Sequence, residues 1–326
     1  MGPIDSLTSF VLVMTLTFAE LAFSQGTVST FPSKPVVMVI ATAPGGPVDQ
    51  EARIYAPRAV EYFRQPFIVD TKPGAAGTVA AGYVFKTAPD GYTLLVVTGN
   101  FAVLPSFYKD LPFDTLKDFS AVSLMSNKPT VLLAHLGFSP KSFADYLAYA
   151  KANPGKINFG TSGAGSISHL AGAWMHSVTN TKVTFIHYKG AATIDLVAGR
   201  LDVVPAALIA GLPLVKSGKV RAIAVMSEGR SSVLEGVPTV AEHGIPGYDY
   251  TSWFGLVAHS ATPAAIVNKL SDGFANVAKA PEVIAKLALE GGVTVGSTPA
   301  QFQRILNLET ARWQKLVQET GIKLEE

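Results

Sequence analysis

Three observations predict an α/β chain of two lobes with parallel or mixed sheets. At 326 residues it exceeds a typical domain of roughly 100–200 residues. Short, continuously apolar runs end in glycine-rich turns and lead into helix-spaced segments, the alternation that builds parallel sheets. That alternation breaks off and restarts near Pro129, as it would where a second sheet begins.

In order along the chain, a polar stretch over 27–34 precedes Val36-Val37-Met38-Val39-Ile40, which reads as a strand buried on both faces. Ala43-Pro44-Gly45-Gly46-Pro47 is a turn, and Ala52, Tyr55, Ala56, Ala59, Val60 and Phe63 mark the helix after it. Phe67-Ile68-Val69 is a second strand, and Lys72-Pro73-Gly74-Ala75-Ala76-Gly77 leads into a helix through Ala80, Ala81 and Val84. Pro89-Asp90-Gly91-Tyr92 turns the chain into a third strand, Thr93 to Val97, ending at Thr98-Gly99-Asn100. The second series opens with a strand at Val131 to Ala134 and a helix from Phe143 to Ala152. Ile157-Asn158-Phe159 then runs into Gly160-Thr161-Ser162-Gly163-Ala164-Gly165-Ser166 and a helix from Ser168 to Val178. Further strands are expected at Ile186 to Tyr188, Val203-Val204 and Arg221 to Val225, with a helix from Ala191 to Ala198. A strand from Phe254 to Ala258 precedes helices at Ala264 to Ala278, Pro281 to Glu290 and Pro299 to Gln318. These last helices are expected to pack on the first lobe. Lobe 1 is then residues 30–127 and 253–326, lobe 2 is 128–252, and the cleft lies at the carboxyl ends of the strands.

Composition narrows the function. With 48% hydrophobic and 15% charged residues the chain is globular and not disordered. Basic residues exceed acidic ones by only 26 to 24, and no basic run is present, so a nucleic-acid partner is not expected. The absence of cysteine removes disulfides, thiolate metal sites and thiol nucleophiles. Phe10 to Ala19 is almost wholly apolar and is followed by Ala22-Phe23-Ser24, which together read as a signal peptide over residues 1–24. Asp5, with no Lys or Arg before Phe10, departs from the usual positive start of such a segment. Its removal would leave 26 basic and 22 acidic residues, a charge of +4, in an exported protein.

Two strand–glycine–helix turns suit an anion, because a helix start presents unpaired N–H groups and a partial positive charge. At Gly45-Gly46 the backbone can approach a ligand closely, and Asp49 can orient the first turn; a plain connecting turn is the competing reading. The Gly160–Ser166 run adds hydroxyl donors. No dinucleotide fingerprint or phosphate loop survives, since the required glycine is replaced by Ser168 and no Gly-Lys-Ser/Thr occurs. The hydrolase elbow fails because Ala164 stands where glycine is needed. A secreted hydrolase using Ser162 or Ser166 with His169 remains an alternative. No residue spacing suggests a metal site. Lys189 reads as solvated. Trp253 reads as either core or cleft wall.

At these residues the chain resembles the Bug family, the solute receptors of tripartite tricarboxylate transporters, from Phe31 to Lys323. The resemblance rests on Pro44-Gly45-Gly46-Pro47-Val48-Asp49, Lys72 to Gly77, Pro89-Asp90-Gly91-Tyr92-Thr93-Leu94-Leu95, Gly160 to Ser166 with His169-Leu170-Ala171-Gly172, Tyr188-Lys189-Gly190, Gly236-Val237-Pro238-Thr239 and Ser252-Trp253-Phe254-Gly255. It implies a type II periplasmic-binding-protein fold and a monomeric periplasmic receptor for a small organic carboxylate, a di- or tricarboxylate such as citrate or an aromatic carboxylate. It also implies transient docking on membrane transporter subunits, and a ligand held by the loops starting at Gly45 and Ser162 with the help of ordered water. A sensing receptor for a two-component system is a further alternative. Three positions depart from the family pattern: Thr42 replaces an aromatic residue, Pro205-Ala206-Ala207 replaces an aromatic and a small polar one, and Asp70-Thr71 replaces Glu-Asn. The nominated ligand contacts are Thr42, Pro44, Gly45, Gly46, Asp49, Asn100, Thr161, Ser162, Ala164, Gly165, Ser166, His169, Ala207 and Trp253, with no cofactor and no metal. In the expected mechanism the Gly45–Gly46 turn donates N–H bonds to a carboxylate, and lobe closure adds Thr161, Ser162 and Ser166.

Overall fold

A computed structural model of the chain describes residues 30–108, 110–164, 166–188 and 192–321. The expected signal segment 1–24, Gly165, and Lys189-Gly190-Ala191 lie outside the described residues.

The chain starts with β1 (Val36–Ile40), α1 (Pro47–Phe63), β2 (Phe67–Thr71), a 3-10 turn (Ala75–Gly77), α2 (Thr78–Phe85), β3 (Thr93–Thr98) and α3 (Gly99–Phe107), and reaches β4 (Phe119–Lys128). A second group comprises β5 (Thr130–His135), α4 (Phe143–Ala152), β6 (Asn158–Thr161), α5 (Ile167–Val178), β7 (Thr184–His187), α6 (Thr193–Val197), β8 (Val203–Ala207), α7 (Leu208–Lys216) and β9 (Val220–Val225). The chain returns through β10 (Ser252–His259) to α8 (Ala264–Val277), α9 (Pro281–Leu289), β11 (Val293–Thr294) and α10 (Pro299–Thr320).

Two sheets result. The first has the order β11-β4-β10-β3-β1-β2 and the second β7-β6-β8-β5-β9. In the first, β1 pairs in parallel with β2 and β3, whereas β10 lies antiparallel between β3 and β4. In the second, β6 is parallel to β7 and β8, and β5 is antiparallel to β8 and β9. Both sheets are therefore mixed. The chain leaves the first at Pro129 and re-enters it at Ser252.

Each sheet is covered on both faces. In α1 the spacing of Val48, Ala52, Tyr55, Ala59 and Phe63 makes one buried stripe. It packs with Leu270 and Phe274 of α8 and Val283 and Leu287 of α9 on one face of the first sheet. Ala80 and Ala81 of α2, Phe101 and Leu104 of α3, and Phe302, Leu306 and Trp313 of α10 cover the other face. The C-terminal helices thus lie on the first sheet. Phe143 and Tyr146 of α4 and Ala171 and Met175 of α5 bury one face of the second sheet, and Leu196 and Leu208 the other.

The lobes meet where α5 and α10 approach. Trp174 of α5 stands 6.1 Å from Trp313 of α10, ring centre to ring centre. The Arg312 guanidinium lies 4.9 Å from the Trp174 ring centre and donates to the Asp249 carbonyl at 3.4 Å. The first turns of α3 and α5 also touch: a Cβ built on Gly99 would stand 2.3 Å from Ile167 Cδ1. A larger residue there would have to displace the end of the Ile167 side chain. No helix among the described residues is long and apolar enough to cross a membrane.

Candidate functional site

The carboxyl ends of β1 and β3 and the turn after β2 enclose a cavity of about 250 Å³ in the first lobe. Its exposed rim is the turn Gly74-Ala75-Ala76-Gly77, with Thr42 and Asn100. Its floor is apolar, formed by Leu95, Val96, Val97, Phe101 and Leu104. The rim has an unusual backbone. Ala75 and Ala76 hold φ of 43° and 52° between Gly74 at 137° and Gly77 at 102°, conformations that non-glycine residues adopt rarely and mainly at functional loops.

Three helices begin at this cavity, and none has a side-chain cap: α1 starts after Gly46, α2 after Gly77 and α3 after Thr98. First-turn N–H groups have no acceptor within their own helix. α1 begins on Pro47, which has none, and holds Asp49 in its first turn, and the Thr78 N–H of α2 donates to the Ala75 carbonyl, so the clearest free donors and positive end belong to α3. Val48, Asn100 and Phe101, all first-turn residues, line the cavity. The Thr42 hydroxyl is buried there without a partner. A rim of this kind matches a small anion.

Of the predicted first-lobe contacts, the structure brings Thr42 and Asn100 to the cavity. Pro44, Gly45, Gly46 and Asp49 form the adjoining turn and helix start and do not line it. The expected donors of that turn are already engaged. Gly45 N–H donates to Asp49 Oδ2 at 2.9 Å and Gly46 N–H to the Ala43 carbonyl at 3.1 Å. Arg53 and the Gly45 N–H hold the Asp49 carboxyl below its usual range, so an internal carboxylate already occupies this turn. Both expected N–H donors of the Gly45–Gly46 turn are thus bonded within the turn itself. The Gly74–Gly77 rim, absent from the predicted contacts, carried the same signal: a strand, a glycine turn and a helix.

In the second lobe, Thr161, Ser162, Ala164, Ser166 and His169 gather at the end of β6 and the start of α5. The hydrogen bonds of the serines can be assigned by counting protons, one per hydroxyl. Ser166 Oγ donates to the Gly163 carbonyl at 2.7 Å. Its 3.0 Å contact with Ser168 Oγ must then be donated by Ser168, and the 2.9 Å contact between Ser162 and Ser168 by Ser162. Ser162 N–H also donates to Ser168 Oγ, at 3.0 Å. Ser168, almost fully buried, is thus the hub of the loop, a role the sequence reading did not assign. In this geometry the Ser162 and Ser166 protons are directed within the loop. Ser168→Ala strands the Ser162 donors and is expected to cost about 1–3 kcal/mol of stability. A urea midpoint equal to that of the parent protein would refute the hub role.

His169 packs 4.5 Å from His187 and 4.6 Å from Phe185 between ring centres. Burial and the neighbouring His187 hold its pKa down to about 4, so its ring is neutral near pH 7. Thr161 Oγ1 lies 2.6 Å from His187 Nδ1. The hydrolase alternative needs a serine proton aimed at an imidazole, whereas here both candidate serines direct theirs to Ser168 and Gly163. Ala207 ends β8 on the surface and does not line the cavity. Trp253 is buried against Phe302 and borders a separate hollow of about 340 Å³ with Arg312 and Trp313. It does not wall the cavity.

Two α/β lobes with mixed sheets, linked by two crossings and carrying a cavity at the strand ends, define a periplasmic-binding-protein fold. The chain belongs to the tripartite tricarboxylate transporter family receptors, whose family pattern matches residues 52–322. Protein BugT of Bordetella pertussis is 33% identical over 90% of this chain and 92% of its own length. Among solved structures, R. palustris Rpa4515 with adipate is 33% identical with a TM-score of 0.77, covering 90% of this chain and 99% of that one. MatC from Rhodopseudomonas palustris with bound malate is 29% identical with a TM-score of 0.74, covering 88% and 100%.

Proposed function

We propose that this chain is exported to the periplasm, binds a small organic carboxylate between its lobes and hands it to the membrane subunits of a tripartite transporter, without altering it chemically. On this reading the lobes are residues 30–127 with 253–326 and residues 128–252, and the protein acts as a monomer. The observation that carries the proposal is the convergence of the uncapped starts of α2 and α3 and the unpartnered Thr42 hydroxyl on one cavity. That is a donor-rich, weakly positive rim. The solved relatives holding adipate and malate support an acid as the ligand. The closeness of the first turns of α3 and α5 at Gly99 and Ile167 supports a role for the serine loop in closing the cleft, where closure would exclude water and strengthen the bonds already made.

Calorimetry with matched pairs of acid and amide tests this. The acid is expected to bind at least tenfold more tightly, because donors aimed at an anion lose part of their interaction with a neutral oxygen. Equal affinities would remove the proposal.

A further inference from the structure

We infer that the ligand is a carboxylate with an unsubstituted hydrocarbon body, aliphatic or aromatic, in preference to hydroxylated di- and tricarboxylates; this rests on the carboxylate-receptor reading above.

The cavity is amphipathic along its depth. Its polar groups lie at the mouth: Thr42, Thr98, Asn100 and the backbone of the Gly74–Gly77 turn. Below them the walls are Leu95, Val97, Phe101 and Leu104, all of them buried and apolar. No charged side chain is among the described lining residues. A molecule oriented by a carboxylate at the mouth therefore sends its remaining atoms against hydrocarbon.

A methylene or an aromatic carbon gains from that burial. Against the floor of this cavity a hydroxyl loses its water and meets no polar side chain, and a second carboxylate meets no charged side chain among the described lining residues. At about 250 Å³ the space lies below the roughly 300–1,000 Å³ usual for ligand pockets, so the body is short. The floor residues are of the types that fill cores, yet here they wall an open space beneath an unpartnered hydroxyl. Composition alone does not separate these two uses.

The test is calorimetry on the full chain with propanoate, butanoate, pentanoate and hexanoate, together with 3-hydroxyhexanoate, adipate and citrate. Affinity is expected to rise about fourfold per added methylene until the cavity is full. The 3-hydroxy acid is expected to bind about tenfold more weakly than hexanoate, and citrate more weakly than adipate. Val97→Thr, which adds a hydroxyl to the wall at nearly constant volume, should weaken hexanoate about tenfold and propanoate less. A flat chain-length series, or citrate and the hydroxy acid binding as well as their unsubstituted counterparts, overturns the inference and leaves the carboxylate receptor standing. If none of the acids binds, both readings fall. Should the variant not fold, the series on the parent protein decides alone.

Discussion

Lys128→Met is expected to cost about 3–5 kcal/mol of stability, the usual consequence of leaving a buried carboxylate without its cation. Lys128 Nζ stands 2.8 Å from Glu51 Oε2 and also pairs with Glu290, and it lies 4.7 Å from the centre of the Phe254 ring. Glu51 is fully buried, and Ser126 donates to its other oxygen. Burial already raises the Glu51 pKa, and Lys128 opposes that rise. Without Lys128 the folded state would hold the Glu51 proton still more tightly than the unfolded chain does. Between the ordinary value of 4.5 and the raised one, the native state then binds more protons, so stability falls as pH rises. The variant's deficit should accordingly be larger at pH 8 than at pH 5 in urea titrations, and equal deficits at both would contradict this account. The position gives the ion cluster a further consequence. Lys128 ends β4 immediately before the crossing at Pro129, and Glu51 sits in α1, whose first turn borders the cavity. The cluster thus ties the inter-lobe connection to the helix whose first turn borders the cavity.

How far the sequence shows this architecture depends on whether each element carries its own signal. β1, β2 and β3 are continuous apolar runs closed by turn residues, and their positions are legible for that reason. β4 is not, because Ser120, Ser123 and Ser126 interrupt the apolar pattern of Phe119–Lys128. Those hydroxyls are satisfied by distant partners: Ser123 Oγ donates to the Ser297 carbonyl at 2.9 Å, and Ser126 to Glu51. Such pairing exists only once the chain has folded. α3 escapes notice because it begins directly on the strand end, contains Pro105 and has no polar face to mark it. In the site, Thr42 and Asn100 could be located from the strand ends. Where the donors of the Gly45–Gly46 turn point could not, since that depends on the Asp49 carboxylate reaching back to Gly45. Residue types show which groups can donate, and only geometry shows which have already done so.

Acidification from pH 7 to pH 4 is expected to remove about 3 kcal/mol of stability through His176 alone. The side chain lies in the core of the second lobe, where burial holds its pKa down to about 4 from 6.5. A displacement of about 2.5 units corresponds to about 3 kcal/mol. Its tautomer follows from its neighbours. Thr179 Oγ1 donates to the Met175 carbonyl at 2.8 Å, so the proton in its contact with Thr181 comes from Thr181. Thr181 then has no second proton for His176, and His176 Nδ1–H must donate to Thr181 Oγ1 at 2.6 Å. Nε2 is left to accept from Tyr146 Oη at 2.8 Å. A proton arriving at Nε2 would meet the Tyr146 hydrogen, so the charged ring gains nothing that offsets its burial. Because the folded pKa lies below the unfolded one, the unfolded state takes up more protons between about pH 6.5 and 4. Stability is complete above that window and declines as pH falls through it. His176→Gln should flatten the decline relative to the parent protein, leaving a smaller share from His169, which is depressed in the same direction but less deeply buried. The lowered carboxyls of Asp49 and Asp145 lose their protection mainly below the ordinary 3.8, whereas Glu242, held down to about 2 from 4.5 by Arg230, begins to lose its contribution at the acid end of this window. Being exposed, it adds a screened share that His176→Gln leaves unchanged. A variant whose stability fell as steeply as the parent's from pH 6.5 to 4 would exclude His176 as the cause. Because His176 stands on the same helix as Ser168 and His169, the lobe carrying the serine loop is the part expected to loosen first in acid.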